Sequence, residues 1–268
     1  MTVPRSVFLD ELTWTEVERS LHAGRDRLVV LLGSTENHGP HAPLGTDTII
    51  ARGVGRRLAE RIDALATPPL PFGYAAHHLS FPGSVSLTNR TLATVLVELV
   101  TTQARHGFRS FVFLSGHGGN RIAIELARSE LLDVVPDATL VHAHMLAVQT
   151  APAFTGAVQD RWPARLSDPW GAHGGEQETA AVLAERPDLV DLDLAPPVVD
   201  MTDYLAATRD PAVTSVARDL RSHVPHGTWG DPRGATAEQG ELFLDAVAEE
   251  LAGRVQALLP PLSQGSRP

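Results

Sequence analysis

Two apolar runs, Arg27-Leu-Val-Val-Leu-Leu-Gly33 and Ser110-Phe-Val-Phe-Leu-Ser115, constrain the fold more than any other feature of this chain. Neither alternates polar with apolar residues, so each reads as a strand covered on both faces, as in a parallel sheet. Residues 138–145 read as a third strand. Helical patterns fill the intervals. They cover residues 47–62, with Thr46 or Asp47 as N-cap, residues 88–106, stopped at Gly107, and a stretch after Asn120 to about Leu132. Two more cover residues 174–185, ending before Pro187, and residues 237–259, opened by a capping-box pattern from Thr236 to Gln239. Strands alternating with helices predict an α/β fold. The expectation is a single domain over residues 1–268 with a mostly parallel central sheet flanked by helices, and a frayed tail at 261–268. Residues 66–83 read as a long ordered loop, 150–172 as irregular, and 186–233 as loop-rich with a helical stretch at 208–222.

Composition removes whole classes of chemistry. The chain has no Cys, so disulfides, thiol nucleophiles and Cys-ligated zinc are excluded. Every basic side chain is Arg, which excludes Schiff-base chemistry and the lysine of a phosphate-binding loop. The formal net charge is −10 with no basic block, arguing against nucleic acid or a membrane surface as partner. No apolar run approaches the roughly 20 residues of a membrane span. No apolar stretch after Met1 makes a signal peptide, so a cytoplasmic address is expected.

Polar clusters stand where strands end, the place where open α/β sheets bind ligands. The first is Gly33-Ser-Thr-Glu36-Asn-His38-Gly-Pro-His41-Ala-Pro-Leu-Gly-Thr-Asp47, and the second is Ser115-Gly-His117-Gly-Gly-Asn120. A third, Ala172-His173-Gly-Gly-Glu176-Gln-Glu178-Thr179, opens a later helix. Imidazole and carboxylate suit Zn²⁺, Mn²⁺ and Fe²⁺. Glu36, His38, Asp47, His117 and Glu176 form a candidate set with three carboxylates, too many for one catalytic zinc and suited to two divalent ions sharing one carboxylate. Each residue alone has a plainer reading. Asp47 could cap a helix, Glu176 could be a first-turn acid, His117 a turn residue, and Glu36 with His38 a loop ion pair.

Two such ions activate a water and polarise a carbonyl together. The expected chemistry is attack of a metal-bound hydroxide on a carbonyl carbon, with backbone N–H groups of Gly118 and Gly119 aiding the oxyanion. His173 is the candidate for passing a proton to the leaving group, and Glu176 counts with it in the catalytic set. Tyr74, His77, His78, Trp162 and Trp170 lie in loops, as pocket walls or as loop anchors. His142 and His144 alternate on the third strand, share a face, and read as structural histidines.

The first cluster, from Gly33 to Asp47, resembles the signature of the creatininase (creatinine amidohydrolase) family. Phe81-Pro-Gly83, the Ser115-to-Asn120 and His173-to-Thr179 segments, and Trp229-Gly-Asp-Pro232 with Ala235-Thr236 match it in order. The resemblance runs from about residue 5 to 260. It implies an α/β fold, a dinuclear metal site and a homohexamer. It also implies Glu36, His38, Asp47 and His117 as ligands, with Asp47 bridging and Glu176 completing the set. One position departs. Gly119 stands where creatininases resemble a Gly-His-x-Glu-Asn pattern whose Glu is a ligand. The Gly-Gly form is similar to the broader family, which includes formamide hydrolases and a peptidase of redox-cofactor (mycofactocin-like) maturation. The expected substrate is a small amide, either a cyclic amide such as creatinine or a formamide. Trimming of a precursor peptide is the alternative, and a catalytically silent binding homologue the third.

Overall fold

The computed structural model describes residues 4–149, 173–199 and 220–262. Its centre is a parallel sheet of β1 (Arg27–Leu32), β2 (Leu65–Ala66), β3 (Ser110–Ser115) and β4 (Thr139–Ala143), in the order β2-β1-β3-β4. Leu28 pairs with Leu65 on one side and Phe111 on the other, and Phe111 pairs with Leu140. The α-helices among the described residues are α1 (Trp14–His22), α2 (Thr46–Arg61), α3 (Asn89–His106), α4 (Arg121–Val134), α5 (Met145–Gln149), α6 (Glu176–Glu185) and α7 (Ala237–Gln256).

Successive strand residues face opposite sides, and both sides are covered. Val29, Leu31, Val112, Leu114 and Val141 pack with α2, α6 and α7, while Leu28, Val30, Leu32, Phe111 and Phe113 pack with α3 and α4. Full burial of such side chains contributes roughly 1.5–3 kcal/mol each. The expected α/β architecture is therefore borne out, and the apolar runs are apolar because neither face meets water.

The topology also fixes where a ligand must go. From β1 the chain passes through α2 to β2 on one side, then crosses to β3 on the other. Loops leaving β1 and β3 diverge at their carboxyl ends and open a crevice there.

The structure departs from expectation in several places. The third strand stops at Ala143, and Met145 already starts α5. The loop after β2 holds a 3₁₀ turn at Ala76–His78. The last helix ends at Gln256. Helix α1 was not anticipated, although its capping box of Thr13 and Glu16 stands in the sequence. Of the helical stretch expected at 208–222, residues 208–219 lie outside the described residues, and Leu220–Ser222 is a 3₁₀ turn. The irregular segment 150–172, with Trp162 and Trp170, and tail residues 263–268 lie outside them too. No helix among the described residues is long and apolar enough to cross a membrane.

Candidate metal centre

The loop leaving β1 is pinned by backbone bonds. Glu36 N–H donates to Leu44 C=O at 3.0 Å, and Thr35 bridges Val85. Gly45, not Thr46 or Asp47, occupies the N-cap of α2. Asp47 is thus free of capping duty, and it is 2% exposed. The β3 loop is tied to β1 through Asn120, whose amide donates to Gly33 C=O at 2.9 Å and accepts from Tyr74 N–H at 2.9 Å. At Gly116, a Cβ would lie 2.1 Å from the Asp47 carbonyl, so only glycine lets β3 end this close to α2.

These ties bring Glu36, His38, Asp47 and His117 together. His117 Nδ1 lies 3.2 Å from Glu36 Oε2 and 3.2 Å from Asp47 Oδ2. His38 Nε2 lies 3.2 Å from Asp47 Oδ1 and 3.6 Å from Glu178 Oε2. Asp47 thereby addresses two imidazoles with its two oxygens. His38 Nε2 and Asp47 Oδ2 are buried without a well-formed hydrogen bond.

Backbone carbonyls set the ring tautomers, since a carbonyl only accepts. His117 Nε2 donates to Tyr74 C=O at 2.8 Å, and His38 Nδ1 to Glu36 C=O at 3.2 Å. His173 Nε2 donates to Asn37 C=O at 2.6 Å. Each ring therefore turns its other nitrogen toward the carboxylates, and in the neutral ring that nitrogen carries the lone pair. Metal-binding histidines are held in this way.

The electrostatics express the same crowding. Burial would lower the His38 pKa, but Asp47, Glu178 and Glu36 outweigh it and lift it to about 9. His117 is likewise raised against its burial by Glu36 and Asp47. Asp47 is held well below the carboxylate range, because His38 and His117 overcome its burial. Burial and the like charges of Asp47 and Glu36 push Glu178 up to about 7, against the pull of His38. His173 is driven down by burial and then by His38, so it stays neutral. Without a cation, the carboxylates draw protons onto the imidazoles.

Glu176 is not brought into this cluster. It begins α6, where Gln239 Nε2 donates to its Oε1 at 3.4 Å. Residues two apart on a helix point about 200° apart, so Glu178 faces the strand ends when Glu176 faces α7. The carboxylate in the cluster is Glu178, whose Oε2 also accepts from Gly174 N–H at 2.7 Å. Position 119 leaves no room for a side chain in this arrangement. A Cβ there would lie 2.3 Å from His117 Nε2 and 2.3 Å from the Tyr74 carbonyl.

A cavity of about 410 Å³ opens over the cluster. Glu36, Asp47, His117, His173 and Glu178 reach it, with Gly118 and Gly119 beside them. His77, His78 and Trp229 form further wall, and Tyr74 contributes its carbonyl to His117. His78 is 2% exposed and meets Glu36 Oε1 at 3.3 Å, a contact that adjacency in sequence did not reveal. Trp229 packs on His173 at 5.1 Å between ring centroids. In the sequence it stands out only within the Trp229-Gly-Asp-Pro232 segment.

The family model Creatininase, described as creatinine amidohydrolase, matches residues 10–255. A creatinine amidohydrolase of Pseudomonas putida is 33% identical, the match covering 96% of this chain and 99% of that protein. A mycofactocin precursor peptide peptidase of Mycolicibacterium smegmatis is 31% identical, over 92% of this chain and 91% of that one. Among solved structures, a mutant creatininase of zinc–zinc type aligns with TM-score 0.76 and 32% identity, over 96% of this chain and 100% of that chain.

Proposed function

Because the chain belongs to the creatininase family of hydrolases, we propose that it is an amidohydrolase with two divalent ions, cleaving the C–N bond of a small amide. The observation that carries this reading is Asp47, which offers one oxygen to His38 and the other to His117. The donor set fits the cations. Three carboxylates and lone pairs from neutral imidazoles suit Zn²⁺ or Mn²⁺. Glu36, Asp47 and His117 would hold one ion, and His38, Asp47 and Glu178 the other, the two groupings sharing only Asp47.

Bound divalent ions supply an acidified water and a Lewis acid for the carbonyl. The chain's own groups do the rest. His173 Nδ1 carries a lone pair 3.9 Å from Glu36 Oε1, within the cavity wall, and its neutrality lets it accept a proton. It then returns that proton to the leaving nitrogen. The Asn37 carbonyl holds the ring in that tautomer. The Gly118 and Gly119 backbone borders His117, where the substrate oxygen would lie.

A cavity of about 410 Å³ is of the size used for small organic ligands. Creatinine-like cyclic amides and formamides are therefore the first substrates to try. Peptide trimming is the second reading, favoured by a peptidase relative that matches almost as much of the chain. The test is a panel of cyclic amides, formamides and short peptides, offered to protein loaded with Zn²⁺ or Mn²⁺. Hydrolysis of a small amide, abolished in Asp47→Asn, is the expected result. Cleavage of peptides alone would establish the second reading, and no hydrolysis by metal-loaded protein would overturn both.

A further inference from the structure

A second group of metal-ligating side chains stands apart from the buried cluster and shares no residue with it. His142, on β4, and His144, just past its end, bring their rings to 3.6 Å between centroids. Glu125 reaches them from α4. Its Oε1 lies 2.6 Å from His142 Nδ1 and 3.9 Å from His144 Nε2. Both imidazoles line the same cavity as Glu36 and Asp47. The His142 side chain is 5% exposed, whereas His144 and Glu125 are 40% and 45% exposed, which sets this group at the rim.

We infer that Glu125, His142 and His144 form a further divalent-cation site, suited to Zn²⁺, on the cavity rim. Three ligand atoms, one carboxylate oxygen and two imidazole nitrogens, make the usual protein share of an open zinc site, whose last position goes to water or another ligand. All three atoms lie within 4.8 Å of one another. Rotation of two half-exposed side chains is enough to close them on one ion. Arg128 fixes the carboxylate from behind, donating to Oε2 at 2.8 Å while its other amino group reaches Leu140 C=O at 3.3 Å. A ligand carboxylate held by an outer partner is the common arrangement around protein-bound metals. The protonation states agree with the geometry. Burial, then the neighbouring charges of His144 and Arg128, takes His142 down to about 4 against the pull of Glu125. His144 is lowered as well, by burial first and then by Arg121. Near neutral pH both rings therefore carry lone pairs.

Arg121 and Arg128 set the strength of this site. Their charges oppose a cation, and the group carries one carboxylate where the buried cluster carries three. The rim site is thus the weaker of the two and fills only when Zn²⁺ is in excess.

Equilibrium dialysis against excess Zn²⁺, with metal counted per chain, tests the inference. The parent is expected to hold one more ion than His144→Ala, a substitution at a half-exposed position that leaves the unfolding temperature unchanged. Asp47→Asn, impaired in the buried cluster, is expected to keep the rim ion, and Asp47→Asn with His144→Ala to lose it. Glu125→Gln should weaken rim binding at least tenfold. Equal Zn²⁺ in the parent and in His144→Ala would overturn the inference, whatever the buried cluster holds.

Discussion

Asp47 Oδ2 lies 3.2 Å from His117 Nδ1, while the far nitrogen of that ring is tied to the Tyr74 carbonyl. The pair joins the start of α2 to the end of β3 across the crevice where the sheet's connections diverge. A buried carboxylate facing a lone pair fixed from behind is costly unless something positive lies between. In the metal-free chain that charge is a proton on His117, and in the proposed enzyme it would be a metal ion.

The exchange of Glu178 for Glu176 gives the first prediction. Glu178→Gln should release one ion per chain and lower turnover by about a hundredfold or more, since even outer partners of a metal site are worth about 10–100-fold. Glu176→Gln, at a carboxylate that meets Gln239 outside the cluster, should keep both ions. Metal analysis and initial rates on the two variants separate them. The reverse pattern would restore Glu176 as the ligand.

Metal uptake should release protons and strengthen with pH. His38 is lifted to about 9 in the metal-free chain, so below that pH an entering ion must displace its proton. His117, raised as well, gives up another proton, and Glu178, near 7, adds one more on the acid side. Affinity is therefore expected to climb steadily from pH 6 to at least 9. Calorimetric titration in buffers of different ionisation enthalpy counts the protons. Uptake with no proton release would contradict the assignment of these ligands.

His173 is predicted to act in turnover, not in holding the fold or the metal. His173→Gln keeps a donor for the Asn37 carbonyl but loses the basic lone pair facing the cavity. The expected loss is about 10²–10⁴-fold in kcat, with a small change in KM and unchanged metal content. One limb of the pH–rate profile should vanish with it. A variant that loses metal instead would make His173 a ligand.

His41 should leave a signature in acid stability. Its Nε2 lies 3.1 Å from Thr179 Oγ1, and burial, with His38 adding to it, depresses it from 6.5 to about 4. Above pH 6.5 the ring is neutral folded and unfolded, so it contributes no slope. Between 6.5 and 4 only the unfolded chain takes the proton, so stability falls as pH falls. The slope is at most about 1.36 kcal/mol per pH unit. His41→Asn should flatten the curve in that window when unfolding is followed in urea. An unchanged slope would show that His41 is protonated in the folded chain.

The sheet was legible in the sequence because strands buried on both faces leave unbroken apolar runs, as in Val29 to Leu32 and Phe111 to Leu114. Four residues of the buried cluster were legible because they sit in the loops that follow those runs or, like Asp47, in the first turn of the next helix. The fifth was not. Glu176 and Glu178 stand in one motif, and spacing alone does not say which side of α6 meets the sheet. That depends on α7, whose Gln239 claims Glu176. Asp47 reads as a helix cap from its position in the sequence, whereas Gly45 takes that place in the structure. His78 belongs to a 3₁₀ turn in a stretch read as loop, and only the tertiary fold carries it against Glu36. His142 and His144 do share a face, as alternation predicted, but the partner that gives them a chemical role comes from α4.

The most direct test of the central claim is metal content per chain by elemental mass spectrometry, for the parent and for Asp47→Asn. Both would be incubated with Zn²⁺ or Mn²⁺ and then desalted, which strips the weaker rim site. The account predicts two ions in the parent and a clear loss in the variant, because one carboxylate serves both positions. A folded parent that retains no ion, or a variant that retains both, would contradict it.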